Sequence, residues 1–143
     1  MKKVTVAGLA VLAVAGILLA PGVEARQSAP KGAETYLISP KDGETVSNPV
    51  TVVFGLKGMG IAPAGTLKEN TGHHHLLIDV KKLPPSDQPI PMDDTHKHFG
   101  GGQTETAVTL APGEHTLQLL LGDLIHIPHN PPIISKKITI TVK

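Results

Sequence analysis

The sequence predicts an all-β protein, a single immunoglobulin-like β-sandwich with long Gly/Pro-rich loops that follows a signal peptide. Three observations indicate this fold class. Apolar and polar residues alternate over several short runs, which is the period of a half-buried strand. Turn sequences separate the runs, among them Pro40-Lys41-Asp42-Gly43 and Ala111-Pro112-Gly113-Glu114. No helical period follows residue 25, and about 110 residues with several short strands are typical of an immunoglobulin-like sandwich.

The N-terminal segment has the layout of a secretory signal peptide. Two lysines precede the apolar run 4–20, and the small residues Val23 and Ala25 fit a cleavage site. We therefore expect residues 1–25 to be removed and the protein to reach the periplasm or to be secreted. A retained anchor is the alternative, but no stop-transfer charges follow the apolar run, so no membrane span is expected after cleavage.

The remainder of the chain is long enough for one domain. Residues 26–34 are small, polar and proline-bearing and predict a flexible leader, and the domain is expected over residues 35–143. The chain has 13 Lys and Arg against 12 Asp and Glu, and removal of residues 1–25 leaves eleven of each. This balance argues against nucleic acid or an anionic membrane as a partner, because both require a basic surface.

The predicted strands follow from residue type and period, taken in chain order. The first is a short extended run before the Pro40 turn, and the second is a β-branched run that alternates. The third places Leu76, Ile78 and Val80 on one face, with His75, Leu77 and Asp79 on the other. The fourth alternates again, the fifth is strongly apolar, and the sixth alternates Ile, Thr and Val. In order, they cover residues 35–39, 50–56, 74–80, 104–110, 115–121 and 133–142.

Two long segments between these strands predict irregular loops. Residues 57–72 hold four glycines and a proline, and residues 83–91 hold four prolines. Loops of this length are often functional. The run Gly100-Gly101-Gly102 does not continue as a phosphate-binding loop, so we expect it to let the backbone pass close beside a site.

Histidine is the residue type that points to chemistry. All eight histidines lie between His73 and His129. His73 with His75, and His96 with His98, have the spacing that places two side chains on one strand face, so that both imidazoles can reach one ion at about 2.0 to 2.1 Å. The sequence therefore predicts a metal site whose ligands are His73, His75, His96 and His98, with His126 or His129 completing or gating it.

The donor atoms favour a divalent copper or zinc ion as the cofactor. Imidazole suits both metals. The chain has no cysteine, and Met59 and Met92 are the only methionines beyond the signal segment, which argues against Cu(I). Other residues are expected to support the ligands, because a ligating imidazole usually donates its second N–H to an acceptor. These are His74, which has core packing as its alternative role, and the acids Asp79, Glu105 and Asp123. His115 follows a Pro-Gly turn and is expected to hold that turn.

Three motifs resemble a known family. They are Gly72-His73-His74-His75-Leu76-Leu77-Ile78-Asp79, His98-Phe99-Gly100-Gly101-Gly102-Gln103-Thr104-Glu105, and His115-Thr116-Leu117-Gln118-Leu119-Leu120-Leu121-Gly122-Asp123 with His126 and His129. They resemble the bacterial exported family known as domain of unknown function 4399, over about Tyr36 to Lys143. The resemblance implies a short exported β-domain with a histidine-rich signature and brings no established activity. The motif histidines correspond to His73, His74, His75, His98, His115, His126 and His129.

The residues support three functional hypotheses. The first is a binding protein that holds copper or zinc for buffering, delivery or sensing. The second is a metal-dependent enzyme whose ion keeps an open position for water or dioxygen, with Glu105 or Asp79 carrying protons. The third is a metal-free module that binds another envelope protein or a glycan.

Overall fold

The computed structural model describes residues 26–143, and the predicted signal peptide lies outside these residues. Strands are the only regular elements in this part of the chain, and none of it forms a helix able to cross a membrane. The nine strands are β1 (Glu34–Ser39), β2 (Thr45–Val46), β3 (Val50–Lys57), β4 (Gly60–Ile61), β5 (Thr71–Ile78), β6 (His96–His98), β7 (Glu105–Val108), β8 (Gly113–Gly122) and β9 (Ile138–Val142).

The strands form two sheets packed as a sandwich. One sheet has the order β1-β3-β7 and is antiparallel throughout. The other has the order β2-β9-β8-β5-β4, and β6 also pairs with β5. In this second sheet only the short strands β2 and β4 run parallel to their neighbours. The prediction of an all-β sandwich is therefore confirmed.

The main core lies between the two sheets and follows from the alternation along each strand. In β3, Val50, Val52 and Phe54 face inward, while the residues between them are more exposed or face outward. The same period on the other strands adds the remaining members, which are Leu76, Ile78, Leu117, Leu119, Ile138, Ile140 and Val142. Burial of these apolar side chains is the main contribution that holds the sheets together.

A second apolar cluster covers the opposite, outer face of the larger sheet. We call it the outer cluster; it contains Leu77, Val80, Ile90 and Leu120, and Ile134 packs against it. As a result, every residue of β5 is buried. This double burial explains why the strand reads as a nearly continuous run of apolar and histidine residues.

The predicted face of Val80 is wrong. The sequence places Val80 with Leu76 and Ile78, but the structure packs it beside Leu77 in the outer cluster. Asp79 has φ of 57°, a left-handed conformation outside the β region. It ends the regular alternation of β5, so the next side chain falls on the other face.

The N-terminal segment that the sequence predicts to be a flexible leader makes specific contacts with the domain. The Arg26 guanidinium donates to the carbonyls of Pro128 at 3.0 Å and His129 at 2.6 Å. Asn130 exchanges backbone hydrogen bonds with this segment, donating to Gln27 O and accepting from Ala29 N, each at 2.9 Å. Glu34 already belongs to β1. The described part of the leader thus lies against the chain segment 128–130.

Candidate metal centre

Two histidines lie on the outer face of β5. His73 and His75 are two residues apart and share this face with Leu77. They stand opposite Gly122 and Leu120 of β8. Their relative exposures are 1% and 0%, so both imidazoles are withdrawn from solvent.

A neighbouring strand and a turn each add one histidine. Antiparallel pairing of β6 with β5 sets His98 directly opposite His75. His126 comes from the turn that follows β8. Both side chains are half-buried, whereas His73 is fully buried. The group is therefore less deeply buried on the side of His98 and His126.

Asp123 shapes the turn that carries His126. Its Oδ1 accepts hydrogen bonds from the backbone N–H groups of Ile125 and Ile127, each at 3.0 Å. Its own N–H donates to Ile127 O at 2.9 Å. His126 has φ of 70°, which non-glycine residues rarely adopt. Asp123 was expected to accept a hydrogen bond from a ligating imidazole; it instead supports His126 through the backbone.

The four imidazoles form one compact group, which we call the histidine cluster: His73, His75, His98 and His126. The ring centroids of His73 and His75 are 4.9 Å apart. The His98 ring lies 5.0 Å from each of these two rings. The His126 ring lies 5.1 Å from that of His73 and 4.8 Å from that of His98, but 6.3 Å from that of His75. One nitrogen from each of His73, His98 and His126 lies within 4.8 Å of the other two, so these three can hold a metal ion.

Several nitrogens of the cluster are buried and have no hydrogen-bond partner. These are His73 Nε2, His98 Nε2 and both ring nitrogens of His75. A buried polar atom without a partner costs about 1 to 3 kcal/mol, so most buried polar atoms in proteins are paired. These unpaired nitrogens are concentrated in one place, where they are free to interact with a ligand.

Burial favours the neutral form of three imidazoles of the cluster, those of His73, His75 and His98. Desolvation, with smaller contributions from neighbouring imidazoles, lowers the pKa of His73 to about 4 and that of His75 to about 3. Desolvation and then the nearby His126 also lower the pKa of His98. A neutral imidazole has a free lone pair, which is the form that binds a metal ion.

Two glycines allow the rings to approach the backbone. A Cβ on Gly122 would lie 2.8 Å from Cε1 of His75, and a Cβ on Gly100 would overlap the ring of His98. The expectation that the triple-glycine run passes close beside the site is confirmed for Gly100. Gly122 is a residue that the sequence reasoning missed, although its position just before Asp123 in the third motif was visible.

His96 and His129 do not join the four rings. The ring of His96 faces Asp93, with Nδ1 at 2.9 Å from its carboxylate, because its position in β6 is opposite Leu77 and beyond the cluster. His129 is buried with Nε2 at 3.1 Å from Thr71 O, to which it can donate a hydrogen bond, and its Nδ1 has no partner. The predicted second His-x-His pair therefore contributes only His98.

The other predicted supporting residues lie elsewhere. His74 points into the main core, with its ring centroid 5.1 Å from that of Phe54, and burial lowers its pKa to about 4. Asp79 bonds His115 at 2.7 Å. Glu105 is exposed on β7, in the smaller sheet. His74 thus has the core-packing role that was its alternative, and the hydrogen bond of Asp79 and the strand position of Glu105 direct these two acids elsewhere.

The fold and the site together define a class: a small β-sandwich domain with a buried cluster of histidines on the outer face of one sheet. The family model described as Domain of unknown function (DUF4399) matches residues 52–143, a range that contains the whole cluster. The chain belongs to this family, and the resemblance seen in its motifs is confirmed. Comparisons with curated proteins and with solved structures gave no significant match.

Proposed function

We propose that this protein binds one divalent copper or zinc ion through His73, His98 and His126, and that it serves in metal buffering, delivery or sensing. The observation that carries the proposal is the mutual approach of one nitrogen each from His73, His98 and His126, which lie within 4.8 Å of one another. The Nε2 atoms of His73 and His98 are also buried without a partner within the protein, and a divalent ion would satisfy both.

The donor set supports copper or zinc over calcium or magnesium. All the donors in the cluster are imidazoles, which suit Cu(II) and Zn(II). Calcium and magnesium prefer oxygen ligands, and a thiolate ligand is excluded because the chain has no cysteine. The three nitrogens lie within 4.8 Å of one another, and an ion at about 2.0 to 2.1 Å from each in tetrahedral geometry would bring them to separations of about 3.3 Å.

Metal analysis and calorimetry test the proposal. Protein purified without an affinity tag should bind about one Cu(II) or Zn(II). We expect His73→Ala, His98→Ala and His126→Ala each to weaken binding at least about tenfold, a loss of about 1.4 kcal/mol. His96→Ala is the matched control, because His96 belongs to the same strand as His98 but lies outside the cluster. It should change the affinity less than about twofold.

Equal metal affinity for the wild type and the His73, His98 and His126 variants would contradict the proposal. So would a wild type that binds neither metal. A module that binds another envelope protein or a glycan without metal would then be the better description.

We also propose that the protein acts in the periplasm or outside the cell. The support is the signal-like sequence of residues 1–25. N-terminal sequencing of the protein from its own cells should find Arg26, or a residue close to it, as the first residue. Recovery of Met1 from a membrane fraction would show instead that the segment is retained as an anchor.

A further inference from the structure

We infer that the ion held by His73, His98 and His126 keeps one coordination position for a small external anion, and that His75 donates a hydrogen bond to this anion instead of binding the ion. The inference rests on the proposed function and names a ligand class for the same site.

The number of donors leaves one position open. Three of the imidazoles approach one another closely, and a tetrahedral ion with three protein ligands binds water or another small ligand at the fourth position. His75 is the remaining imidazole of the cluster. Its ring is 6.3 Å from that of His126, whereas the rings of the other three are 4.8 to 5.1 Å apart. His75 therefore lies beside the three-nitrogen group, on the side away from His126.

The hydrogen-bonding state of His75 supports its role as a donor. Both of its ring nitrogens are buried and have no partner. A neutral imidazole carries one N–H, which needs an acceptor. An anion on the ion, next to the His75 ring, supplies that acceptor.

The charge of the site favours an anion. Three neutral imidazoles leave the full double positive charge on the ion, and a buried charge is costly when nothing compensates it. Three of the acids near the cluster in the sequence are already committed. Asp79 bonds His115, Asp93 bonds His96, and Asp123 bonds backbone N–H groups of its own turn. In the part of the chain that the structure describes, the group able to hold an ion contains only histidines.

The space at the site limits the size of the anion. The ring centroids of the three proposed ligands are about 5 Å apart. The backbone at Gly122 is in contact with His75 so closely that a single added carbon would lie 2.8 Å from its ring. Such a site suits an anion of one to three atoms, such as hydroxide, chloride or azide.

An azide titration tests the inference. The protein is purified, loaded with one equivalent of Cu(II), and titrated with azide while its charge-transfer absorption is followed. We expect about one azide to bind per copper ion. His75→Phe should keep the metal stoichiometry and an affinity for copper within about threefold of the wild type, yet bind azide at least about tenfold more weakly. His75→Gln retains an N–H donor and should recover part of that loss.

A second measurement needs no variant. In Zn(II)-loaded protein labelled with ¹⁵N-histidine, the His75 ring N–H resonance should shift when azide is added. This readout also decides the question if His75→Phe does not fold.

Each other outcome overturns the inference in its own way. Loss of the metal in a folded His75→Phe would make His75 a ligand. Copper binding without any response to azide would show that the fourth position is closed. Unchanged azide binding in His75→Phe, or an unshifted His75 resonance, would remove its donor role. If the wild type binds no metal at all, the proposed function fails first, and this inference fails with it.

Discussion

His115 shows how one side chain holds a turn outside the candidate site. Its Nδ1 is 2.7 Å from Asp79 Oδ2, and its Nε2 is 2.8 Å from Ala111 O. Both partners are acceptors, and an imidazole can donate from both nitrogens only when it is protonated. The pKa of His115 is therefore raised, and the hydrogen bond to Asp79 is the main cause. The structural role expected for this histidine is confirmed.

The pair of His115 and Asp79 predicts a pH-dependent contribution to stability. Because folding raises the pKa above the ordinary value of 6.5, the contribution is complete below that value and is lost as the pH rises through the folded pKa. We expect His115→Ala to lower the free energy of unfolding by about 1 to 2 kcal/mol near pH 6 and by less near pH 9. Urea denaturation at the two pH values measures this.

Asp79→Asn is the control for that experiment. An asparagine still accepts from Thr116 N–H, which Asp79 Oδ1 does at 2.8 Å, but it removes the negative charge beside His115. In the Asp79→Asn background, the loss in free energy of unfolding caused by His115→Ala should then differ less between pH 6 and pH 9. An equal loss for His115→Ala at both pH values would contradict the assignment.

At the scale of secondary-structure elements, the pairing of β5 with β8 positions the cluster. This pairing sets His73 opposite Gly122, and the absence of a side chain at Gly122 leaves room for the neighbouring His75 ring. β6 then adds His98 across from His75. The geometry of the site therefore depends on strand register, which a slip of one residue would destroy by moving every side chain to the other face.

Gly122→Ala should disturb both stability and the binding of azide to the metal-loaded protein. The added Cβ would lie 2.8 Å from His75 Cε1, so the His75 ring must move, whereas its distance of 3.4 Å from His126 Cα is an ordinary contact. We expect the free energy of unfolding to fall by about 1 to 3 kcal/mol, as for other overpacked sites. Azide binding by the copper-loaded protein should weaken as well because His75 is displaced, and an azide titration with thermal denaturation measures both.

Gly60→Ala is the matched substitution. Gly60 also lies in a strand, but the nearest atom to its added Cβ is Thr71 Cγ2 at 3.6 Å, an ordinary contact. It should leave stability and azide binding nearly unchanged. If the two variants behaved alike, the close packing around Gly122 would have no energetic importance.

At the scale of the whole molecule, the buried histidines make the fold sensitive to acid. Folding lowers the pKa of His73 from 6.5 to about 4 and that of His75 to about 3, so the unfolded chain binds more protons below pH 6.5. Their contribution to stability is complete above 6.5 and is lost as the pH falls through this window. Each such group changes the free energy of unfolding by up to about 1.4 kcal/mol per pH unit.

We therefore expect metal-free protein to be clearly less stable near pH 5 than near pH 7, a range in which ordinary carboxylates stay ionised. Denaturant unfolding after chelator treatment measures the difference. His75→Gln removes one of the groups concerned and should give a flatter dependence. The stability of metal-loaded protein should depend on pH more steeply, because protons compete with the ion for the ligand nitrogens. A metal-free protein equally stable at both pH values would show that its buried histidines protonate without cost.

The class of fold and the choice of histidine as the candidate functional residue were determined by the sequence itself. The alternation that makes β3 one-sided is a local property, and so is the two-residue spacing that puts His73 and His75 on one face. The glycines that follow His98 likewise indicated that the backbone passes close beside the site. Such features need no knowledge of what lies opposite, because strand geometry alone imposes them.

Only the tertiary structure decided which histidines meet. His96 has the same spacing from His98 as His73 has from His75, yet the register of β6 carries it past the cluster to Asp93. His126 joins the cluster because Asp123 holds its turn in a left-handed conformation, and Val80 changes face because Asp79 interrupts the alternation. These outcomes depend on strand register and turn geometry. Strand register is set by pairing between residues distant in the sequence, and the left-handed conformations of Asp79 and His126 break the strand period on which a pattern of residue types depends.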